Sequence, residues 1–184
     1  MSIVNYTTQN ELLLNKLMDF YNDENNLSRM LKIITGESLS LRIIDWFVTN
    51  YAKKNYTLFL INENNRRFKV YYDYKLKLKA YSKERFDPFC RWERIVIPYK
   101  NGTSIETTIG QLNFFKWAIE NQVINYIEEN YDTIEKDMNN RNSTSKRKET
   151  VTDNTKTRKK REELSVSATK SIKKEEVEIV INFH

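Results

Sequence analysis

The spacing of apolar residues changes twice along this chain, and those two changes constrain the fold more than any other feature. Over residues 10–54 apolar side chains recur every three or four positions, which is the spacing of amphipathic helices. Over residues 57–107 β-branched and aromatic residues largely alternate with polar ones, as they do in strands. From Thr108 the helical spacing returns. The chain is therefore predicted to be α+β, with the strands between two helical parts.

Three helices are predicted before the strands, over residues 10–20, 27–34 and 41–54. Asn10 suits the N-cap of the first helix, and Gly36 is placed to end the second. Each helix carries one apolar face, so all three are expected to pack in the core.

The middle of the chain is predicted to form an antiparallel β-meander of about four to five strands. The first two strands are expected to pair as a hairpin around a polar turn. In the third, apolar residues alternate with Lys75, Lys77 and Lys79, which would place these lysines on one face of the sheet. The predicted strands span residues 57–61, 68–72, 74–80, 92–99 and 104–107.

A long C-terminal helix is predicted to follow the meander. Thr108 and Gln111 have the spacing of a capping box, and a broad apolar stripe continues to about Met138. Such a stripe requires deep burial against the sheet. The expected architecture is an α+β domain in which the meander is packed on one side by the N-terminal helices and this long helix.

The composition changes after Met138. Residues 139–174 are rich in Asn, Ser, Thr and Lys and contain almost no large apolar side chains, so they are predicted to be a disordered basic tail. Residues 175–184 are again β-prone. The predicted organisation is a single domain over 1–138, the tail over 139–174 and a short C-terminal motif over 175–184.

The residues available give little support to catalysis. Cys90 is the one cysteine and His184 the one histidine, so no disulfide, zinc site or Cys–His nucleophile is expected. The three glycines are isolated and form no phosphate-binding loop. The chain is predicted not to be an enzyme, with no catalytic residue, no metal and no cofactor, and Cys90 is expected to be a buried, inert thiol.

One enzymatic alternative stays open, a metal-dependent nuclease. On a strand, Asp73 and Lys75 would point the same way. Glu63, Asp87 or Glu93 would then complete a magnesium site.

Positive charge is concentrated in two stretches of the chain. Residues 66–100 hold eleven lysines and arginines against four acids, and residues 141–161 hold nine against two. Together with nearby aromatic rings, they predict a sheet face and a basic arm that bind nucleic-acid phosphates without sequence specificity. A solvated lysine face and a solubilising tail are the alternatives. The predicted nucleic-acid-binding residues are Arg66, Arg67, Lys69, Lys75, Lys77, Lys79, Arg91, Arg94, Lys146, Arg147, Lys148, Arg158, Lys159, Lys160 and Arg161.

The C-terminal motif supports a different function, that of an assembly scaffold. A β-prone segment after a disordered arm can dock on its own sheet edge or add as a strand to a viral or host protein. The predicted partner-binding residues are Val177, Ile179, Val180, Ile181 and Phe183.

Three blocks carry a family resemblance: SLRIIDWFVTNYAKKN from Ser40, DYKLKLKAYSKERFDPFCRWERI from Asp73 and IETTIGQLNFFKWAIENQVINYI from Ile105. Through these blocks, the stretch of residues 38–138 that contains them resembles an uncharacterised protein family of giant viruses, the nucleocytoplasmic large DNA viruses. The resemblance implies a viral protein in the virion or in the host nucleus or cytoplasm, and for the scaffold hypothesis a virion structural role. Neither a signal peptide nor a membrane-length apolar run is evident, so secretion and a membrane partner are not expected.

Overall fold

The computed structural model describes residues 8–61, 66–149 and 174–175, and its fold is α+β. The strands are β1 (Leu58–Ile61), β2 (Arg66–Lys69), β3 (Arg94–Pro98), β4 (Ser104–Thr108) and β5 (Lys174–Glu175). The α-helices are α1 (Gln9–Tyr21), α2 (Glu24–Ile34), α3 (Leu41–Trp46), α4 (Ala52–Lys54), α5 (Val70–Tyr81), α6 (Ile109–Glu120), α7 (Val123–Glu129) and α8 (Tyr131–Glu149).

The three predicted N-terminal helices are confirmed, and side-chain caps fix where they begin. The N-cap of α1 is Thr8 instead of the predicted Asn10: Thr8 Oγ1 accepts from the Glu11 amide, and the Glu11 carboxylate accepts from the Thr8 amide at 2.7 Å. Asp23 and Ser40 cap α2 and α3 by accepting from the Asn25 and Ile43 amides, respectively. A π-helical turn, Phe47–Tyr51, joins α3 to α4, so the predicted helix over 41–54 is continuous.

The predicted third strand is wrong, because residues 74–80 lie in helix α5. Val70 and Tyr74 are buried, and Leu78 and Tyr81 are half-buried, at successive spacings of four, four and three residues. This spacing places them along one side of a helix. The alternating Leu and Lys residues that indicated a strand are also good helix formers. Tyr74 contacts Phe86 and Trp117 with ring centroids 5.9 and 6.1 Å apart, so the helix buries its aromatic side chain in the core.

Because α5 interrupts the strands, the predicted single meander is replaced by two small antiparallel sheets. The first is a hairpin in which β1 pairs with β2 from Leu58↔Lys69 to Ile61↔Arg66. The second pairs β3 with β4 from Arg94↔Thr108 to Pro98↔Ser104. The two-residue strand β5 joins this second sheet at the outer side of β4.

The predicted long C-terminal helix is divided into α6, α7 and α8. The first break follows Asn121, where Gln122 adopts a left-handed conformation with φ of 56°, and the second lies at Asn130. Thr108 caps α6, as expected, by accepting from the Gln111 amide at 3.0 Å. The Gln111 side chain does not complete a capping box: it accepts from Thr107 Oγ1 and donates to the Pro88 carbonyl.

Helix α6 is the centre of the core. Its side chains Leu112, Phe114, Phe115 and Trp117 are buried, and it contacts α1, α2, α7 and β4. Helix α8 runs to Glu149, so the predicted domain boundary at Met138 falls inside it. Within the described ranges, no helix is both long and apolar enough to cross a membrane.

Candidate interaction surface

The predicted basic residues fall on several elements instead of one sheet face. Arg66, Arg67 and Lys69 lie on β2, and Lys75, Lys77 and Lys79 lie on α5. Arg91 precedes β3, and Arg94 begins it. Three further predicted residues lie on the backbone of α8, without described side chains: Lys146, Arg147 and Lys148. Residues outside the described ranges are Arg158, Lys159, Lys160, Arg161, Val177, Ile179, Val180, Ile181 and Phe183.

The β1–β2 hairpin has two faces of different character. On the inner face Phe59 lies opposite Phe68 and stacks on the ring of Tyr126, with centroids 5.1 Å apart. On the outer face Leu58 and Leu60 are 47% and 52% exposed. Their cross-strand partners are Lys69 and Arg67, both exposed. The outer face of this hairpin therefore combines leucine side chains with positive charge.

Helix α5 continues this mixture. Tyr72 and Leu76 are 59% and 66% exposed, and with Lys75 and Lys79 they line a shallow groove on the solvent side of the helix. The Lys69 ammonium lies 5.9 Å from the centre of the Tyr72 ring, which links the outer face of the hairpin to the helix. We call the combined surface the basic-apolar face. Its members are Leu58, Leu60, Arg67, Lys69, Tyr72, Lys75, Leu76 and Lys79.

The change from strand to helix decides which lysines share this face. Side chains two residues apart on a helix point about 200° apart, and those four apart about 40° apart. Lys75 and Lys79 are accordingly together and exposed, whereas Lys77 points away from them and is half-buried. The predicted row of three lysines is therefore wrong, and two of its members remain together.

Arg91 and Arg94 do not join the basic-apolar face, because each is paired with an acid. Arg91 donates two hydrogen bonds of 2.8 Å to the buried carboxylate of Asp87. Burial alone would lower the pKa of Arg91, but its hydrogen bonds and attraction to Asp87 outweigh that effect and raise it. Arg94 pairs with Glu106 across the β3–β4 hairpin. Arg66 also has a partner, since it donates to the Asn121 side chain at 3.0 Å.

Comparison with known proteins assigns the chain to a protein family. Residues 2–183 match the model of a family described as "Family of unknown function (DUF7197)". The chain belongs to this family. A relative of known origin is "Uncharacterized protein L507" of Acanthamoeba polyphaga mimivirus, which is 44% identical to this chain over 153 residues. The match covers 78% of this chain and 58% of the relative, and it confirms the predicted giant-virus resemblance. No solved structure matches the chain.

Two of the candidate nuclease residues, Asp73 and Lys75, lie on different sides of helix α5, and neither the family description nor the relative's name assigns a site to this fold. Asp73 is half-buried on α5, where its carboxylate accepts from Trp117 Nε1 at 2.6 Å. Lys75 points about 200° away from it around the helix. Asp87 is already held by Arg91 and by the Phe89 amide. The same-side arrangement that the nuclease hypothesis required is therefore wrong, and the described residues contain no acidic or Cys/His cluster suited to a metal.

Cys90 is buried, as expected from the sequence. Burial raises the pKa of its thiol, which disfavours the reactive thiolate at neutral pH.

The four apolar members of the basic-apolar face were missed in the sequence. Leu58 and Leu60 belong to an unbroken apolar run in β1, and such a run is typical of a strand buried on both faces. Tyr72 and Leu76 were assigned to strands. The signal that could have identified them is the four-residue spacing of Val70, Tyr74 and Leu78, because it places Tyr72 and Leu76 on the opposite side of a helix.

Proposed function

We propose that this family member binds nucleic acid through the phosphate backbone, without sequence specificity and without catalysis. The observation that carries the proposal is the grouping of Arg67, Lys69, Lys75 and Lys79 on one exposed face. None of the four forms an ion pair with another described residue. Their charge is therefore not neutralised within the described fold and is available to phosphates.

The aromatic member of the face supports a preference for single strands. The Tyr72 ring is more than half exposed and is flanked by the Lys69 ammonium. An exposed ring beside a cation suits base stacking next to a phosphate contact, at about 1–3 kcal/mol per stacked base. We assign no base-reading role, because base-edge recognition needs Asn, Gln or Arg side chains on an element that enters a groove.

The basic stretch that begins in the last turns of α8 is the second part of the proposal. Two clusters, residues 146–148 and 158–161, add seven cations. An arm of this kind increases affinity by bringing further cations to the same phosphate chain.

The test is a salt series of fluorescence-anisotropy titrations with a labelled single strand and a labelled duplex. The face variant replaces Lys69, Lys75 and Lys79 by Gln in the full-length chain. Three exposed lysines on α1, α2 and α8 are replaced in the matched control: Lys16, Lys32 and Lys136. The two variants have the same net charge, so any difference between them reports the location of the charge.

We expect the face variant to bind at least tenfold more weakly than the control at low salt. Its log–log salt dependence should be shallower by about two to three, since each lost duplex phosphate contact removes about 0.9 from the slope. Equal binding by the two variants would overturn the assignment to this face. Loss of binding only when residues 158–161 are neutralised would place the activity in the arm.

A second candidate function, an assembly scaffold, is favoured by a separate observation. Leu58, Leu60 and Leu76 are about half exposed or more on the same face, and phosphate binding makes no use of them. Contiguous exposed apolar side chains on a protein surface are typical of a protein-binding site. Contact through the leucines should persist at high salt, whereas phosphate contacts should not.

A further inference from the structure

We infer that the basic-apolar face is a docking site for the C-terminal segment, residues 176–184, of a second copy of this chain. The inference concerns the surface assigned above but does not depend on nucleic-acid binding.

The chemistry of the segment complements that of the face. Its sequence is EVEIVINFH, so an extended chain would place four apolar side chains along one side. The other side begins with Glu176 and Glu178. The apolar row consists of Val177, Ile179, Ile181 and Phe183.

The basic-apolar face carries apolar side chains and side chains of opposite charge to the glutamates. Leu58, Leu60 and Leu76 provide exposed apolar surface, and Lys69 and Arg67 lie directly across the hairpin from the two β1 leucines. The apolar row can therefore be buried on the leucines, and the two glutamates give the segment a charge opposite to that of the unneutralised cations of the face. Opposite charge on two surfaces favours their association over that with an apolar segment without acidic residues.

Strand β5 ends at Glu175, the residue directly before the segment. Glu175 pairs with Ser104, the first residue of β4, in an antiparallel register. The strand at Glu175 therefore runs toward the start of β4, where the β3–β4 pairing ends. The nine residues that follow span up to about 30 Å when extended. That length is enough to reach the surface of a second copy.

The positions of the two surfaces favour contact between copies. Glu175, the residue directly before the segment, lies beside β4, and β4 leads into the N-terminal end of α6. The hairpin of the face is held at the opposite end of α6, by the bond between Arg66 and Asn121. Because segment and face are different surfaces, contact between copies is heterologous. Such contacts continue as an open chain of copies or close when two copies exchange segments, and in both cases association rises with protein concentration.

Sedimentation velocity without nucleic acid, over a range of protein concentrations, tests the inference. The face variant replaces Leu58 and Leu60 by Ser, and the segment variant replaces Val177, Ile179 and Ile181 by Ser, each in the full-length chain. The two leucines are exposed, so the face variant is expected to fold. Far-ultraviolet circular dichroism checks both variants. The matched control is Val96→Ser, which removes a 69% exposed side chain from β3, outside the face.

We expect the wild type and the control to form species that grow with concentration, and each variant alone to associate at least tenfold more weakly. An equimolar mixture of the two variants should form pairs and nothing larger, because only one intact face meets one intact segment. A monomeric wild type at all concentrations, unchanged association of either variant, or failure of the mixture to pair would overturn the inference. A wild type that is monomeric but binds nucleic acid would leave the proposed function intact.

Discussion

The indole Nε1 of Trp117 donates a hydrogen bond to the Asp73 carboxylate at 2.6 Å, and this bond ties α5 to α6. Trp117 is buried and contacts the rings of Tyr74 and Phe86 as well. One side of α5 is thereby fixed against the core. Its other side, with Tyr72 and Leu76, is left facing solvent, so this bond orients half of the basic-apolar face.

Replacing Trp117 by Phe keeps an aromatic ring in the core but removes the donor to Asp73. We expect the free energy of unfolding to fall by about 1–3 kcal/mol, because the half-buried carboxylate loses its partner. Urea denaturation measures the loss. In the background of Asp73→Ala, the same Trp117→Phe substitution should cost less, and equal costs in both backgrounds would show that the two residues are not coupled.

Gly110 is predicted to be intolerant of any side chain. A Cβ atom added there would lie 2.7 Å from the Glu84 backbone oxygen and 3.3 Å from the Phe86 nitrogen. Gly110→Ala should therefore destabilise the protein by about 1–3 kcal/mol, as overpacking does. In a helix with free space the same change would stabilise by roughly 1 kcal/mol. Urea denaturation measures the change in the free energy of unfolding. A decrease indicates a close backbone approach at Gly110, and an increase indicates an ordinary helical position.

Ala80 distinguishes the helix from the strand predicted for residues 74–80. It is exposed on α5, so Ala80→Thr should lower the free energy of unfolding by about 0.5–0.7 kcal/mol through helix propensity. In a strand the β-branched residue would be favoured instead. The matched control is the reverse change, Thr133→Ala on the exposed side of α8, which should stabilise by a similar amount. A gain in stability from Ala80→Thr would contradict the helix.

Asp137 is predicted to make stability depend on pH. Burial alone would raise the pKa of its carboxyl, but hydrogen bonds from Lys54 at 3.0 Å and Trp46 at 3.2 Å outweigh burial and lower the pKa. A lowered folded-state pKa stabilises the fold above the pKa of the unfolded carboxyl, near 4, and this contribution is lost as pH falls through the folded value.

The expected result is that Asp137→Asn lowers the free energy of unfolding by about 1 kcal/mol at pH 7. The difference from wild type should shrink between pH 5 and pH 3. Urea denaturation at pH 7, 5 and 3 measures it, and Asp132→Asn, an exposed acid on the same helix, is the control. A difference that stays constant or grows in acid would show that the Asp137 charge contributes nothing to stability.

Local signals in the sequence were reliable where caps and short-range pairing decide the structure. Thr108 caps α6 as predicted, and the hairpin around residues 62–65 pairs as predicted between β1 and β2. The strand prediction failed at α5 because Leu–Lys alternation is compatible with both periods. The contacts of Tyr74 with Phe86 and Trp117, together with the four-residue spacing of Val70, Tyr74 and Leu78, favour the helical period.

The sequence by itself determined the α+β class, the N-terminal helices, the burial of Cys90 and the viral family, because each depends on composition, short-range spacing or direct similarity. The tertiary structure decided which charges share a surface. The angle between two side chains depends on whether their segment is a strand or a helix. For that reason Lys77 does not share a face with Lys75 and Lys79. Whether a basic side chain is neutralised depends on the acids that folding brings next to it. Asp87 pairs with Arg91, and Glu106 pairs with Arg94.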